Sequence, residues 1–364
     1  MKIKEIIHAL EMFAPLPLQD GFDNAGLQVG LTDAEATGAL LCLDVTEAVV
    51  DEAITMGLNL IVSHHPLLFK GCKSITGKDY IERCIIKALK NDIVIYAMHT
   101  NLDNAMQGVS FKMAEKIGLQ QVRILDPKEQ LLLKLVTFVP TRQAETVREA
   151  LFAAGCGHIG DYDACSYNVE GLGTFRAGTG THPFCGMVGE RHVEAETRIE
   201  TILPAFRRTA VEKALKEAHP YEEPAYDIYP VDNTWQQVGA GVVGELAAPE
   251  TETEFLKRIK KTFEVGCVKH SRMSGRLIQT VALCGGAGAF LLPKAVGVQA
   301  DVFITGEVKY HDYFSYENDI LVAEIGHYES EQYTKEIIYS IIREAFPVLE
   351  VSMTRVNTNP IKYL

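Results

Sequence analysis

The chain has 364 residues, 47% of them hydrophobic and 23% charged, which is enough apolar sequence to bury the cores of two domains. Its net charge of −13 and the lack of a dense Lys/Arg run argue against binding to nucleic acid or to anionic membranes, because both need a basic surface. The eight cysteines are scattered without a CxxC pair, which argues against a disulfide framework and predicts reduced thiols in a cytoplasmic protein.

The N-terminal segment MKIKEIIHALEMFAPLPL predicts an amphipathic helix. Its apolar residues recur at helical spacing, at Ile3, Ile6, Ile7, Leu10 and Phe13. Charged residues interrupt the segment and no small-residue cleavage site follows, so it does not resemble a secretory signal. No stretch approaches the roughly 18 continuous apolar residues of a membrane span, and we therefore expect no membrane partner.

The first third of the chain then predicts alternating strands and helices. The predicted strands are GALLCLDV, LNLIVS and DIVIYAM. The predicted helices are TEAVVDEAITMG, with Thr46 as its N-cap, and DYIERCIIKALKN. A helix between successive strands is typical of parallel pairing, so we expect a mostly parallel sheet.

The middle of the chain predicts a different order of elements. The strand LLLKLVTFVP and the helix TRQAETVREALFAAG are followed by two predicted strands, around ACSYNVEG and GTFRAG. After a loop and further strand-like sequence come the helix TAVEKALKEAH and the strand AYDIYPV. A β-α-β-β-α-β order is typical of ferredoxin-like folds.

The last third returns to the alternation of the first. LIQTVALC, ADVFIT and DILVAEI are predicted strands, a GGAGA turn follows the first of them, and YESEQYTKEIIYSIIREAF is a predicted helix. We therefore predict an α/β protein in which a mostly parallel-sheet core domain, residues 1–127 and 234–364, is interrupted by an inserted ferredoxin-like α+β domain, residues 128–233.

Residue types that bind metals follow several predicted strands. Functional sites of open α/β sheets form beyond the carboxyl ends of the strands, so these side chains are expected to meet at one edge. In chain order, the residues at these positions include His64, His65, His99, Asp103, Glu307, His327 and Glu331.

Two adjacent histidines end the strand LNLIVS. Neighbouring side chains on a strand point to opposite faces, so His64 and His65 can serve one site only if the strand stops there. Pro66 favours this interpretation, because it donates no backbone hydrogen bond and restricts His65 to extended or turn conformations. Taken alone, the motif is equally compatible with packing or a surface position.

His327 and Glu331 lie four residues apart where a helix is predicted, so they project from one face about one turn apart. Alone, such a pair is more often solvated on an exposed helix. With Asp103 and the two histidines it makes five ligands, enough for two ions if a carboxylate bridges them. Three neutral imidazoles and two carboxylates carry −2 against +4 for two divalent ions, so the site should attract a small anionic or phosphorylated ligand.

Weaker candidates surround this set. Asp23 and Asn24, in FDNAGLQVG, are candidate substrate-binding residues, although a turn or a helix cap is at least as compatible with them. His99 and Glu307 are candidate proton shuttles or partners that orient a ligand. GGAGA could cradle phosphate, but it lacks the Lys-Ser/Thr of a phosphate loop, and tight packing is the favoured interpretation. We assign no catalytic role to the inserted motifs FRAGTGTHPFCG and AHPYEEPAYDIY.

Six motifs resemble, in the same order, those of the NGG-one-interacting factor three-like family. They are FDNAGLQVG, IVSHHPLLF, MHTNLDNA, LCGGAGAF, FITGEVKYHD and GHYESEQ, and they cover both outer segments of the chain. The middle segment resembles, more loosely, the CutA/PII-like insert of the longer bacterial members. The resemblance therefore covers the whole predicted core domain.

This resemblance implies a dinuclear centre of divalent ions, zinc or else iron, manganese or magnesium, held by His64, His65, Asp103, His327 and Glu331. It implies a toroidal homohexamer with the metal sites facing an internal cavity. Bacterial members are known as GTP cyclohydrolase 1 type 2 homologs, which implies a hydrolase that opens the guanine ring of GTP and releases formate. The alternative is a metal-holding regulatory assembly without catalysis, whose insert senses a metabolite or binds a partner protein.

Overall fold

A computed structural model describes residues 1–362 and 364 of the chain. The chain divides into two compact units, one formed by Met1–Asp126 with Val238–Leu364 and the other by Pro127–Gln237. The strands form three sheets, of five, six and four strands. The fold is therefore mixed α/β with several sheets.

The chain forms the following strands and helices. The strands are β1 (Gly26–Val29), β2 (Ala39–Cys42), β3 (Leu60–Ser63), β4 (Val94–Ala97), β5 (Gln120–Lys128), β6 (Leu132–Pro140), β7 (Ser166–Arg176), β8 (Arg191–Pro204), β9 (Tyr226–Pro230), β10 (Trp235–Thr251), β11 (Lys269–His270), β12 (Leu277–Cys284), β13 (Val302–Thr305), β14 (Leu321–Glu324) and β15 (Val351–Met353). The α-helices are α1 (Ile3–Phe13), α2 (Glu47–Met56), α3 (Tyr80–Lys90), α4 (Thr100–Asp103), α5 (Val109–Ile117), α6 (Ala144–Ala153), α7 (Arg208–Ala218), α8 (Glu252–Thr262), α9 (Leu292–Gly297), α10 (Asp312–Ser315), α11 (His327–Glu331) and α12 (Thr334–Ala345). Of these elements, β6–β9, α6 and α7 lie within the Pro127–Gln237 unit. Among the described residues, no helix combines the length and the apolar character needed to cross a membrane.

The five-stranded sheet of the first unit has the order β1-β4-β3-β2-β15. β15, β2, β3 and β4 pair in parallel, and only β1 is antiparallel, against β4. Every residue of β2, β3 and β4 is buried, which explains why these strands have continuous apolar sequences. Because the strands are parallel, the residues that follow Cys42, Ser63 and Ala97 leave the sheet at one edge.

The six-stranded sheet of the first unit has the order β11-β14-β13-β12-β10-β5. β12, β13 and β14 pair in parallel, whereas β10 is antiparallel to β12 and β11 is antiparallel to β14. Both sheets of the first unit are therefore mixed, and in each of them the central strands pair in parallel. The segments that follow β12, β13 and β14 leave this sheet together, and they carry GGAGA, Glu307 and His327.

The unit formed by Pro127–Gln237 contains a four-stranded sheet of order β7-β8-β6-β9. Its pairs β6–β8, β6–β9 and β7–β8 are all antiparallel, and α6 and α7 complete the element order β-α-β-β-α-β. Its core consists of buried aliphatic side chains of the sheet and both helices, among them Leu135, Val139, Val147, Leu151, Ile199, Leu203, Val211 and Leu215.

The two strands predicted around ACSYNVEG and GTFRAG are one strand, β7, so that prediction was wrong. The partner of β7 is β8, in the sequence that had only been recognised as strand-like. Gly171 and Gly173, where the two predicted strands meet, both lie inside β7, opposite Glu196 and Glu194 of β8. A Cβ on Gly173 would collide with the Glu196 carboxylate, so glycine at this position reflects close packing.

The loop before α3 is organised around the carboxylate of Glu82, and this gives a testable pH dependence. Its Oε2 accepts hydrogen bonds from the N–H groups of Thr76 (2.8 Å), Gly77 (2.9 Å) and Lys78 (3.2 Å). The bond from Thr76 contributes most to lowering the pKa of Glu82, from 4.5 to about 2. Glu82→Gln should therefore weaken the loop above pH ~4.5, and the wild-type advantage should disappear as the pH falls towards 2.

Amide hydrogen exchange at residues 76–78 measures this effect directly. We expect exchange to be several-fold faster in Glu82→Gln at pH 7, because the amide of glutamine is a weaker acceptor than a carboxylate. Glu115→Gln, which changes an exposed carboxylate paired with Lys112, is the matched control. Equal protection of the three N–H groups in wild type and Glu82→Gln would contradict the assigned role.

A candidate metal centre

Five residues, two that follow β3 and three from the short helices α4 and α11, meet in one cluster. His64 Nε2 lies 3.7 Å from Asp103 Oδ1 and 3.7 Å from Glu331 Oε1. The other oxygen of Glu331, Oε2, lies 3.0 Å from His65 Nε2 and 3.1 Å from His327 Nε2. Two groups of three possible metal ligands, His64–Asp103–Glu331 and His65–His327–Glu331, therefore share Glu331.

Each imidazole of the cluster is oriented through its Nδ1 atom. The acceptors are Met98 O for His64 (2.7 Å), Asp44 Oδ1 for His65 (2.7 Å) and Glu307 Oε1 for His327 (2.8 Å). Because every acceptor is an oxygen, Nδ1 carries the proton, and in a neutral ring Nε2 presents its lone pair to the cluster. Metal-binding histidines are commonly held in this way by a carboxylate or a carbonyl.

The Nε2 atom of His64 is the clearest sign that a cation fits here. The side chain is fully buried, and Nε2 has no hydrogen-bond partner. Burial lowers the pKa of His64, which favours the neutral ring. A lone pair that faces the carboxylates of Asp103 and Glu331 is repelled by both, and a cation among the three groups removes that repulsion.

The pKa values of the cluster show how its charge is balanced without a metal. Burial raises the pKa of Asp103, and the charge of Glu331 raises it further. Burial acts in the same direction on Glu331, but the neighbouring histidines outweigh it and hold the pKa of Glu331 well below its usual range. Burial lowers the pKa of His65 and His327, yet hydrogen bonds to carboxylates raise it to about 10 and about 9. Protonated His65 and His327 therefore both contact the Glu331 carboxylate in the metal-free protein, and a metal ion would replace these protons.

Helix α11 supplies both His327 and Glu331. It ends at Glu331, and α12 begins only at Thr334, whose hydroxyl donates to the Glu331 carbonyl (2.8 Å). The continuous helix predicted over YESEQYTKEIIYSIIREAF was therefore wrong, since the chain forms two helices there. The i, i+4 spacing still brings His327 Nε2 and Glu331 Oε2 together within α11.

The GGAGA turn packs directly against Glu331. Gly286 has φ +60°, and a Cβ at this position would collide with Glu331 Oε1. Its N–H donates to Ser330 Oγ (3.0 Å), and the N–H of Gly288 donates to Thr305 Oγ1 (2.9 Å). Both N–H groups are therefore already hydrogen-bonded within the protein and are not available to a phosphate. This supports the favoured interpretation, that GGAGA serves tight packing.

Gly286→Ala should weaken metal binding by displacing the Glu331 carboxylate. An alanine in the left-handed backbone conformation costs about 1 kcal/mol of strain at Gly286 and at Gly118 alike. Gly118→Ala is therefore a matched control. Gly118 has φ +78° and nothing within 4 Å of the added Cβ. We expect both variants to lose similar stability, but only Gly286→Ala to lose metal affinity, by at least about tenfold. Equal affinities in metal titrations of the two variants would contradict the packing argument.

His99 and Asp23 form a pair beside the cluster. The ring of His99 lies 5.3 Å from that of His64 and 5.4 Å from that of His65, measured between centroids. Its Nδ1 is bonded to Asp23 Oδ1 (2.6 Å). Burial opposes ionisation of Asp23, but hydrogen bonds from His99 and Thr100 lower its pKa to about 2, so Asp23 is a carboxylate at neutral pH.

Asn24 and Glu307 have other contacts. The Asn24 side chain is bonded to the Leu68 carbonyl (2.7 Å), which fits a structural role in its loop. Glu307 is exposed and bonded to Nδ1 of His327, on the side of the ring opposite the cluster. Asp44, which is not among the predicted site residues, orients His65 in the same way. Asp44 is the second residue after β2, as His65 is the second residue after β3, so the strand-end criterion could have found it.

The cluster opens into a cavity of about 410 Å³ in the first unit. Its walls include His65, His99, Asp103, His327 and Glu331, together with the exposed rings of Phe22, Phe69 and Phe290. Neither Asp23 nor Asn24 is among the described residues that line it. The cavity therefore has a polar, ionisable floor and aromatic walls.

An α/β fold with a His/Glu cluster at strand ends defines a class of proteins with a candidate metal centre. The chain belongs to the Duf34/NIF3 (NGG1p interacting factor 3) family, which matches residues 1–360, so the predicted family resemblance is confirmed. It is 37% identical over 364 residues to the GTP cyclohydrolase 1 type 2 homolog of Halalkalibacterium halodurans, covering 99% of this chain and 98% of that one. The corresponding Bacillus subtilis homolog is 37% identical over 371 residues, with the same coverage. A crystal structure of a Bacillus cereus protein related to NIF3 superposes with a TM-score of 0.87 at 36% identity, covering 100% of this chain and 99% of that one.

Proposed function

We propose that His64, His65, Asp103, His327 and Glu331 hold two divalent metal ions. The observation that carries this proposal is the buried Nε2 of His64, which lacks a hydrogen-bond partner and faces two carboxylates. One oxygen of Glu331 is near His64, and the other is near His65 and His327. Glu331 is therefore the carboxylate that we expect to bridge the ions.

The donor set suits zinc. Three imidazole nitrogens and two carboxylates are ligands that zinc accepts, iron and manganese share this preference in part, and magnesium favours oxygen alone. When bound, a pair of such ions lowers the pKa of water and stabilises negative charge on substrate oxygens. Asp44, Glu307 and the Met98 carbonyl fix the three rings so that their Nε2 atoms face the cluster.

We propose that this centre hydrolyses a nucleotide or another phosphorylated small molecule. The cavity of about 410 Å³ has the size of a small-molecule site. Phe22, Phe69 and Phe290 offer exposed rings on which a base can stack. The name shared by the relatives, GTP cyclohydrolase 1 type 2 homolog, makes GTP the first substrate to test.

His99 is the residue that we propose to move a proton. Asp23 accepts from its Nδ1 and, with a pKa of about 2, stays charged, which fixes the ring orientation and leaves Nε2 free to exchange a proton. Glu307, the other candidate, is bonded to Nδ1 of His327, which supports a role in orienting that ring.

GTP consumption and formate release by metal-reconstituted protein test this function. We expect turnover that depends on added metal and is absent in Glu331→Ala. His99→Gln should lower kcat by about 10²–10⁴-fold while keeping the metal content, because general acid–base catalysis contributes that much. No turnover by a protein shown to hold two metals per chain would overturn the GTP assignment and direct the search to other phosphorylated substrates.

The second candidate is a regulatory assembly in which the Pro127–Gln237 unit binds a metabolite. The observation that favours it is a cavity of about 630 Å³ within that unit, with Phe138, Phe184 and Tyr221 among its walls. Deletion of residues 128–233 distinguishes the two candidates. An enzyme whose chemistry resides in the first unit should keep its turnover, whereas a sensor should keep its metals and lose its response to the metabolite.

We also propose that the Pro127–Gln237 unit is an inserted ferredoxin-like domain of the CutA/PII-like kind. Its β-α-β-β-α-β order and its antiparallel sheet of order β7-β8-β6-β9 support this. The boundaries at 128 and 233, the toroidal homohexamer and the cytoplasmic location remain predictions. Sedimentation equilibrium tests the hexamer, and a monomeric mass at all concentrations would contradict it.

A further inference from the structure

A second cluster of metal-binding residue types lies in the Pro127–Gln237 unit. One donor atom from each of Cys185, His192 and Glu194 lies within 4.8 Å of the others. His192 Nε2 is 2.7 Å from Glu194 Oε2, and Cys185 Sγ is 3.8 Å from the Tyr221 hydroxyl. We propose that Cys185, His192 and Glu194 bind a zinc ion, in a site separate from the cluster around Glu331.

Strand β8 places two of the three ligands on one face of the sheet. His192 and Glu194 are alternate residues near the start of β8, so their side chains point the same way. Their partners on β7 are Phe175 and Gly173. Gly173 contributes no side chain beside Glu194, and the space that a Cβ would need there is occupied by the Glu196 carboxylate.

The loop before β8 brings the third ligand to the other two. The N–H of Gly189 donates to the Ala177 carbonyl (2.8 Å), which closes the loop that contains Cys185. Gly186 has φ +79° and lies directly on the side chain of His192, where an added Cβ would come within 2.8 Å of Cβ and Cγ. The tight turn after Cys185 therefore folds back on His192 and holds the thiol beside the imidazole.

The chemistry of the three donors favours zinc. Thiolate sulfur, imidazole nitrogen and carboxylate oxygen are all zinc ligands, whereas magnesium and calcium take oxygen. A His192–Glu194 ion pair alone would explain the contact between those two residues, but it gives no reason for a thiol in the same place. Three protein ligands leave one position of a tetrahedral zinc for water or a small ligand. Tyr221, beside Cys185, also lines the cavity of about 630 Å³, so the ion would lie next to that cavity.

Cobalt substitution in the full-length protein tests this site. A thiolate-to-Co²⁺ charge-transfer band in the near ultraviolet appears only when a cysteine sulfur binds the ion, and the ligands proposed around Glu331 include no cysteine. We expect metal-depleted wild type to develop this band on titration with Co²⁺, and zinc to displace it. Cys185→Ala should lose the band completely, whereas Cys267→Ala, which changes an exposed cysteine of the first unit, should keep it.

Two further variants make the result unambiguous. Glu331→Gln should keep the band, since it alters only the other cluster. His192→Gln should lower the affinity for Co²⁺ by at least about tenfold while the far-ultraviolet circular dichroism stays unchanged, which separates ligand loss from unfolding. The proposal is overturned if wild type gives no band or if Cys185→Ala retains it. It is also overturned if Glu331→Gln abolishes the band, because the thiolate would then belong to the cluster around Glu331, whose cavity Cys284 also lines.

Discussion

Replacing Glu331 by glutamine is expected to abolish the binding of both proposed metal ions. Glu331 belongs to both donor groups, with one oxygen 3.7 Å from His64 Nε2 and the other 3.0 Å from His65 Nε2. Glutamine keeps the shape but removes the charge and one of the two oxygens, so it cannot bridge two cations. Losing a residue that merely orients a ligand costs about 10–100-fold in metal affinity, and we expect a larger loss here.

Metal content per chain after dialysis against dilute zinc measures this effect, and Glu329→Gln is its control. Glu329 lies in the same short helix, is 8% exposed and accepts a hydrogen bond from Asn359 (2.9 Å), outside the cluster. We expect Glu329→Gln to keep the wild-type metal content. If Glu331→Gln also kept the wild-type metal content, Glu331 would be neither a bridge nor a ligand, and the proposed two-metal centre would be wrong.

The sequence predicted the residues of the cluster better than the elements around them. Its two criteria were position after a strand and i, i+4 spacing, and both concern backbone geometry, which residue patterns determine strongly. His64 and His65 follow β3, which ends at Ser63 before Pro66, and the structure brings both into the cluster with Asp103, His327 and Glu331. Their role as metal ligands stays a prediction.

The features that were missed depend on tertiary packing. Gly173 lies inside β7, where the Glu196 carboxylate of β8 occupies the space that a side chain would need, and nothing local in the sequence distinguishes this from a turn. The antiparallel pairs β1–β4, β10–β12 and β11–β14 join strands that helices separate along the chain, so the alternation of strands and helices did not reveal their direction. The pairing of Asp44 with His65 depends on side-chain rotamers across two strands, which periodicity does not specify.

Replacing Asp103 by asparagine is expected to lower the stability of the protein only when metal is bound. In the metal-free protein, burial and the charge of Glu331 both raise the pKa of Asp103, which means that its ionised form is destabilised there. Asparagine removes this cost, so the metal-free variant should be at least as stable as metal-free wild type. With metal present, the variant lacks a ligand and loses stabilisation, about 2.7 kcal/mol if wild type is held at 100 times its Kd.

Thermal denaturation in chelator and in excess zinc compares the two states of the same variant. Asp51→Asn is the control, because Asp51 pairs with Lys87 at an exposed site and should change both transitions alike and only slightly. A defect in folding or packing would lower the stability of Asp103→Asn in both conditions, whereas loss of a ligand lowers it only with zinc. A variant that is destabilised equally in chelator and in zinc would therefore assign Asp103 a structural role and leave the His64 side of the cluster with too few ligands for a second ion.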